Sequence, residues 1–412
     1  MSNAAASAGT RTLEAMVAIR SAANAAFFEH EAQRLARLCH RMAERFARGG
    51  RLVAFGRSAA ARSDARHVAV EFVHPVIVGK RALPAIGLTA EGGELGAQAQ
   101  LLTRPDDIAI AFGAGEDGGE AAGAIGLARA RGCLTVAFGP AGAEWEFKPR
   151  VADRHVRQEL IETLYHVLWE LVHVFFEHRG LLAGREPRAG HDAGASSFLY
   201  PFLAEREDNL EQVLEDVSRS ALMKAREIGA LRAQTLYDNA ETLAAAAGAL
   251  RASFQHGGAL LALGNGGSAT DAMDVVADFR SGGGGGEGAG GEGDREPRPR
   301  PAIDLTEDTA IVTAIANDIG ADAIFARQVI AYGRSGDALL ALSTSGNSAN
   351  VIAALAEGRR RGLVTIAMVG YDGGTVAAQR LADYVVVTRS EHIPRIQEAQ
   401  ATAYHVLREL VG

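Results

Sequence analysis

Cysteine is almost missing from this chain: Cys39 and Cys133 are the only two in 412 residues. That excludes a disulfide scaffold and fits a reducing compartment, so a cytoplasmic location is expected. Long apolar runs are missing too. No stretch reaches the ~18 residues that a membrane-spanning helix requires, and no membrane partner is expected. The opening residues, MSNAAASAGTRTLEAM, lack the basic-then-apolar order of a secretory signal. Positive charge is in deficit, with 42 Lys and Arg against 50 Asp and Glu, for a net charge of −8. Nucleic acid is therefore not an expected partner. What remains is a globular composition, 48% hydrophobic and 22% charged, in a chain too long for one ordinary core. Two domains are expected.

Self-comparison explains why there are two. FARGGRLVAFG (46–56) reappears as FQHGGALLALG (254–264), an offset of 208. The segment 107–139 matches 337–370 at an offset of 230, and RQELIETLYHVLWELV (157–172) matches IQEAQATAYHVLRELV (396–411) at 239. Three blocks in the same order mean two copies of one domain. Each copy opens with a helix, Phe27–Arg48 or Thr235–Gln255, that stops at Gly-Gly. A short buried-type strand follows (Arg51–Phe55, Ala259–Leu263), then alternating helices and strands and a long final helix. Continuously apolar strands between helices indicate a parallel sheet covered on both faces. The fold class is therefore α/β, two doubly wound parallel-sheet domains, expected at 1–183 and 207–412. Residues 184–206 read as a linker and 281–300 as a glycine-rich surface insertion.

Two loops of the second copy carry the chemistry. LGNGGSATDAM (263–273) leaves a strand and enters a helix. Its glycines, with Asn265, Gly266, Gly267 and Ser268, suit close approach of the backbone to an anion at a helix N-terminus. The second loop packs four hydroxyls, Ser343, Thr344, Ser345 and Ser348, into six residues. Two such turns at strand ends suit the crevice where open α/β sheets bind ligands. Hydroxyls and amides without a Walker lysine fit the phosphate monoester of a small molecule. The first copy has lost this cradle: Gly113, Ala114 and Gly115 replace the hydroxyls, and Glu116 and Asp117 would repel phosphate. Arg57 and Arg62 there read as solvated or paired to acids.

GNGGSATDAM, STSGNSANVI and RIQEAQATAYHVL closely resemble the sugar isomerase (SIS) domain family, and within it the phosphoheptose isomerases. The resemblance implies a flavodoxin-like fold and isomerisation of D-sedoheptulose 7-phosphate to D-glycero-D-manno-heptose 7-phosphate. It also implies a metal site, usually zinc, built from a His and a Glu on one helix and a Gln and a His on another. The first copy keeps all four as His67, Glu71, Gln158 and His166; the second has Asp274, Asp278, Gln397 and His405. Aspartate is shorter than either residue it replaces, which counts against a metal in the second copy. By the same resemblance Glu71 or Asp278 is the base that moves the proton α to the carbonyl, and His166 or His405 its acid–base partner. Family active sites lie near subunit interfaces of a tetramer. A dimer of this chain, four SIS domains in all, and a site composed from both copies are therefore expected, beside the alternative of a site confined to the second copy. A separate alternative is a non-catalytic SIS domain, either a sugar-phosphate-binding regulator or a scaffold for the bacterial replication initiator.

Overall fold

The structure is a computed structural model that describes residues 2–76, 80–89, 91, 93–115, 119–177, 181–182, 209–281 and 298–412, with side chains from residue 13 onward except at 177. The expected linker and nearly all of the glycine-rich insertion lie outside these residues, as do Glu116 and Asp117.

The first unit spans Ala22–Glu227. Helix α1 (Ser2–Ala47) leads into β1 (Leu52–Phe55), then α2 (Ala59–Val73), β2 (Ala85–Leu88), α3 (Leu95–Leu102), β3 (Ile108–Ala111), α4 (Glu120–Ala130), β4 (Leu134–Phe138), β5 (Trp145–Phe147) and α5 (Arg154–Glu177). All strand pairs are parallel and the order is β2-β1-β3-β4-β5. One face of the sheet packs under Phe28, Phe72, Tyr165 and Trp169, the other under Ala99, Ala121 and Ile125.

The second unit combines residues 1–21 with 228–412. Helices α6 (Leu210–Asp238) and α7 (Ala240–Gln255) precede β6 (Leu260–Leu263), α8 (Gly267–Arg280), β7 (Ala302–Asp304), α9 (Thr309–Asp318), α10 (Ile324–Tyr332), β8 (Ala338–Ser343), α11 (Ala349–Arg360), β9 (Val364–Gly370), α12 (Gly374–Ala378), β10 (Tyr384–Thr388) and α13 (Ile393–Val411). Its parallel sheet runs β7-β6-β8-β9-β10, the order of the first. The α/β, doubly wound fold read from the sequence is present twice.

The duplication reaches individual atoms. Asp107 Oδ1 accepts the Arg51 N–H at 2.9 Å, and Asp337 Oδ1 accepts the Ala259 N–H at 2.8 Å. Each carboxylate ties the start of its sheet's first strand to that of the third, and the two follow the offsets read from sequence.

The partition differs from the boundaries expected at 1–183 and 207–412. Residues 2–21 of α1 group with the second unit and residues 210–227 of α6 with the first. The helix expected over Thr235–Gln255 is broken at Asn239, whose Nδ2 donates to the carbonyls of Thr235 (2.8 Å) and Val387 (3.0 Å). Its Oδ1 accepts the Val387 N–H at 3.0 Å, so this one amide satisfies both backbone groups of Val387 on edge strand β10.

Candidate functional site

In each sheet the order reverses between the first and third strands, here β6 and β8, and the loops that follow these strands flank the crevice where such sheets take ligands. The loop after β6 turns directly into α8. A Cβ on Gly264 would lie 2.1 Å from the Ser268 carbonyl oxygen, so only glycine permits this turn. The N-cap of α8, Gly266, offers no side-chain hydrogen bond to the first helical turn. After β8, Ser343 Oγ accepts the Gly346 N–H at 3.1 Å and lies 3.4 Å from Ser348 Oγ. Ser345 Oγ accepts the Asn347 N–H at 3.2 Å. Gly346 has φ +64°, and a Cβ there would sit 2.3 Å from the Gly373 carbonyl oxygen. Ser348 is the N-cap of α11 and makes no side-chain cap bond. Thus two helices start beside one another without side-chain caps, and their N-terminal amides and positive dipole ends suit an anion. By contrast, Ser58 caps α2 in the first unit, accepting the Ala61 N–H at 3.3 Å.

The structure joins the two loops through a residue the sequence reading passed over. Asn265 Nδ2 donates to Asn350 Oδ1 and Asn350 Nδ2 donates to Asn265 Oδ1, both at 2.9 Å. Asn350 lies inside the quoted motif, but only the fold shows that it faces Asn265. A second addition is Asp304 at the end of β7. It accepts the Thr306 N–H and hydroxyl at 2.7 Å each, and burial, outweighing those two donors, pushes its carboxyl above the usual aspartate range.

The acid–base candidates of the second unit sit on α8 and α13. Asp278 Oδ2 lies 3.6 Å from His405 Nε2, with His405 fully buried. Asp274, one turn earlier, faces the Tyr404 hydroxyl at 3.5 Å. Gln397 is buried on α13, eight residues before His405, and Gln400 Nε2 donates to the Ser343 carbonyl at 3.4 Å, linking α13 to the hydroxyl-rich loop.

In the first unit His67 Nε2 lies 3.3 Å from His166 Nε2 and 3.9 Å from Glu71 Oε1, and the Tyr165 hydroxyl meets His67 Nδ1 at 3.0 Å. Among the described residues, His67, Glu162 and His166 form a set whose ligand atoms all fall within 4.8 Å of one another, all three buried. Gln158, expected as a ligand, is half-buried one turn before Glu162. The missed signal is spacing: Glu162 and His166 are four residues apart on one face of α5. Burial, then the proximity of His166, holds His67 well below the ordinary imidazole value, so it is neutral as a metal ligand must be. Two imidazoles and a carboxylate suit zinc. Arg57 pairs with Glu120 at 3.2 Å and Arg62 with Glu91 at 2.7 Å, so both arginines serve acids of the chain itself.

Comparison with known proteins agrees with this geometry. The SIS domain family matches residues 225–370. A phosphoheptose isomerase from Roseiflexus sp. is 41% identical over 199 residues, which are 48% of this chain and 91% of that protein. Among solved structures, the C-terminal domain of glucosamine-fructose-6-phosphate aminotransferase from Francisella tularensis aligns over 97% of this chain and 93% of its own, at TM-score 0.56 and 8% identity. A tagatose-6-phosphate ketose/aldose isomerase from Escherichia coli aligns over 97% and 91%, at TM-score 0.54 and 12% identity. These two likenesses concern the fold, and they extend over both units. Fold, loops and sequence kinship together place the chain in the SIS domain family, as a sugar-phosphate isomerase.

Proposed function

We propose that the second unit interconverts D-sedoheptulose 7-phosphate and D-glycero-D-manno-heptose 7-phosphate. The observation that carries this is the buried Asp278–His405 pair, 3.6 Å apart, in the same unit as the two uncapped loops. Asn265, Gly266, Gly267, Ser268, Ser343, Thr344, Ser345, Ser348 and Gln397 bind the substrate, with the phosphate at the loops. Length supports a seven-carbon sugar. Asp278 is ten residues beyond Ser268, about 15 Å along the axis of α8, and its side chain leans back toward the helix start. Eight bonds separate phosphorus from C1 in an extended heptose 7-phosphate, roughly 10 Å at the reach of a zigzag chain.

Asp278 takes the proton from the hydroxyl-bearing carbon beside the carbonyl and returns it to the neighbouring carbon. His405 moves a proton between the two oxygens, and the loops hold the distant phosphate so that C1 and C2 stay against the pair. Glu71 and His166 belong to the first unit's buried cluster, where we propose an ion held by His67, Glu162 and His166. His67 on α2 and Glu162 and His166 on α5 would hold such an ion, which would supply Lewis acidity.

A ketose-to-aldose assay with sedoheptulose 7-phosphate tests the proposal, with Asp278→Asn and Glu71→Gln compared. Loss confined to Asp278→Asn fits the second unit as the seat of chemistry. Loss confined to Glu71→Gln would move it to the first.

A further inference from the structure

We infer that Tyr404 is a positioning residue that decides which of two aspartates pairs with His405, and that this pair works without a metal ion. The inference rests on the function proposed above for the second unit.

The tyrosine before the histidine occurs in both copies, as Tyr165-His166 and Tyr404-His405. Both rings are buried, and each hydroxyl meets the aligned residue of the facing helix: Tyr165 meets His67 Nδ1 at 3.0 Å, Tyr404 meets Asp274 Oδ2 at 3.5 Å. The partner changed from imidazole to carboxylate, yet the contact persists, and a phenol can donate to either.

The donor set for a metal did not persist. His67 and Glu162 of the first unit align with Asp274 and Ala401, leaving His405 alone of the three. In place of an ion, the second unit has two carboxylates, Asp274 and Asp278, four residues apart on one face of α8. Both are buried on the helix that faces His405, so each is a competitor for its ring. The Tyr404 hydroxyl gives Asp274 a donor of its own. His405 is then left facing Asp278, the arrangement seen at 3.6 Å. Without that hydroxyl, Asp274 competes for the imidazole and the productive pair is diluted.

Tyr404→Phe keeps the ring and removes the donor. Turnover of sedoheptulose 7-phosphate should fall in kcat by about tenfold or more, as misplaced catalytic groups do, with KM little changed. Adding Asp274→Asn to that variant removes the competitor and should restore most of the loss, which a merely structural tyrosine would not allow. Dialysis against EDTA should leave wild-type turnover intact while protein-bound metal, measured by mass spectrometry, is stripped. The ring of His405, followed by NMR, should titrate at a different pH in Tyr404→Phe and return in the double variant. An unchanged kcat and midpoint in Tyr404→Phe, no rescue by Asp274→Asn, or activity lost to EDTA and restored by zinc each overturn the inference. Absence of any turnover in wild type, with the His405 midpoint still shifted and rescued, would overturn the proposed reaction and leave the pairing standing.

Discussion

Asp278 and His405 were both legible as residue types in the sequence, because the repeated YHVL block aligns His405 with His166 and the repeated first strand with its following helix aligns Asp278 with Glu71. Their partnership was not, since it depends on how α8 crosses α13. If they form the acid–base pair, Asp278→Asn and His405→Gln should each lower kcat by about 10²-fold or more, in the range of general acid–base catalysis, as a direct assay of aldose formation would show. The loops make a different prediction. Ser345→Ala or Asn350→Ala should raise KM for the sugar phosphate several-fold, as loss of roughly 1 kcal/mol of hydrogen bonding would, with kcat nearly unchanged. Asp304 adds a pH effect. Its folded value is raised above the ordinary aspartate value of 3.8, chiefly by burial. Its contribution is therefore fully present below that ordinary value and is lost as pH rises through the folded one. Asp304→Asn should then melt higher than wild type near neutral pH and show no gain in acid, in thermal scans across that window.

At the scale of elements, the strands were the most readable feature, because a parallel sheet buried on both faces leaves uninterrupted apolar runs such as Leu260–Leu263 and Ile108–Ala111. Helix ends were less readable. α1 reaches back to Ser2, well before the expected Phe27, in an alanine-rich stretch without strong apolar periodicity. The break at Asn239 follows from a side chain serving a strand edge 148 residues away, which no local pattern reports. Asn239→Ala leaves those Val387 groups without their partner and should cost about 1–3 kcal/mol, measurable by denaturant unfolding.

For the molecule as a whole, the offsets 208, 230 and 239 already contained the duplicated fold. They did not show how the chain divides, because composition marks a linker but not which sheet a long helix packs on. The two copies have diverged in opposite senses: the first keeps a buried His67–Glu162–His166 cluster and the second keeps the uncapped loops. Zinc should therefore bind at about one ion per chain, from the donor set, and Glu162→Gln should lower that stoichiometry while Gln158→Ala should not, as elemental analysis would report. The dimer suggested by family resemblance is a separate proposal, tested by light scattering.

At the end of α8, the Arg300 N–H donates to the Phe279 carbonyl at 2.6 Å, and the Arg408 Nε donates to the Asp278 carbonyl at 2.9 Å. Residues on either side of the glycine-rich tract are thus fastened together at its base. The number of residues between two such anchors can change over generations with little thermodynamic penalty, because each doubling of length costs only about 0.6 kcal/mol. Natural variants of this chain are accordingly free to differ in tract length, and trimming 282–297 to a few glycines should leave the melting temperature within a few degrees of its starting value.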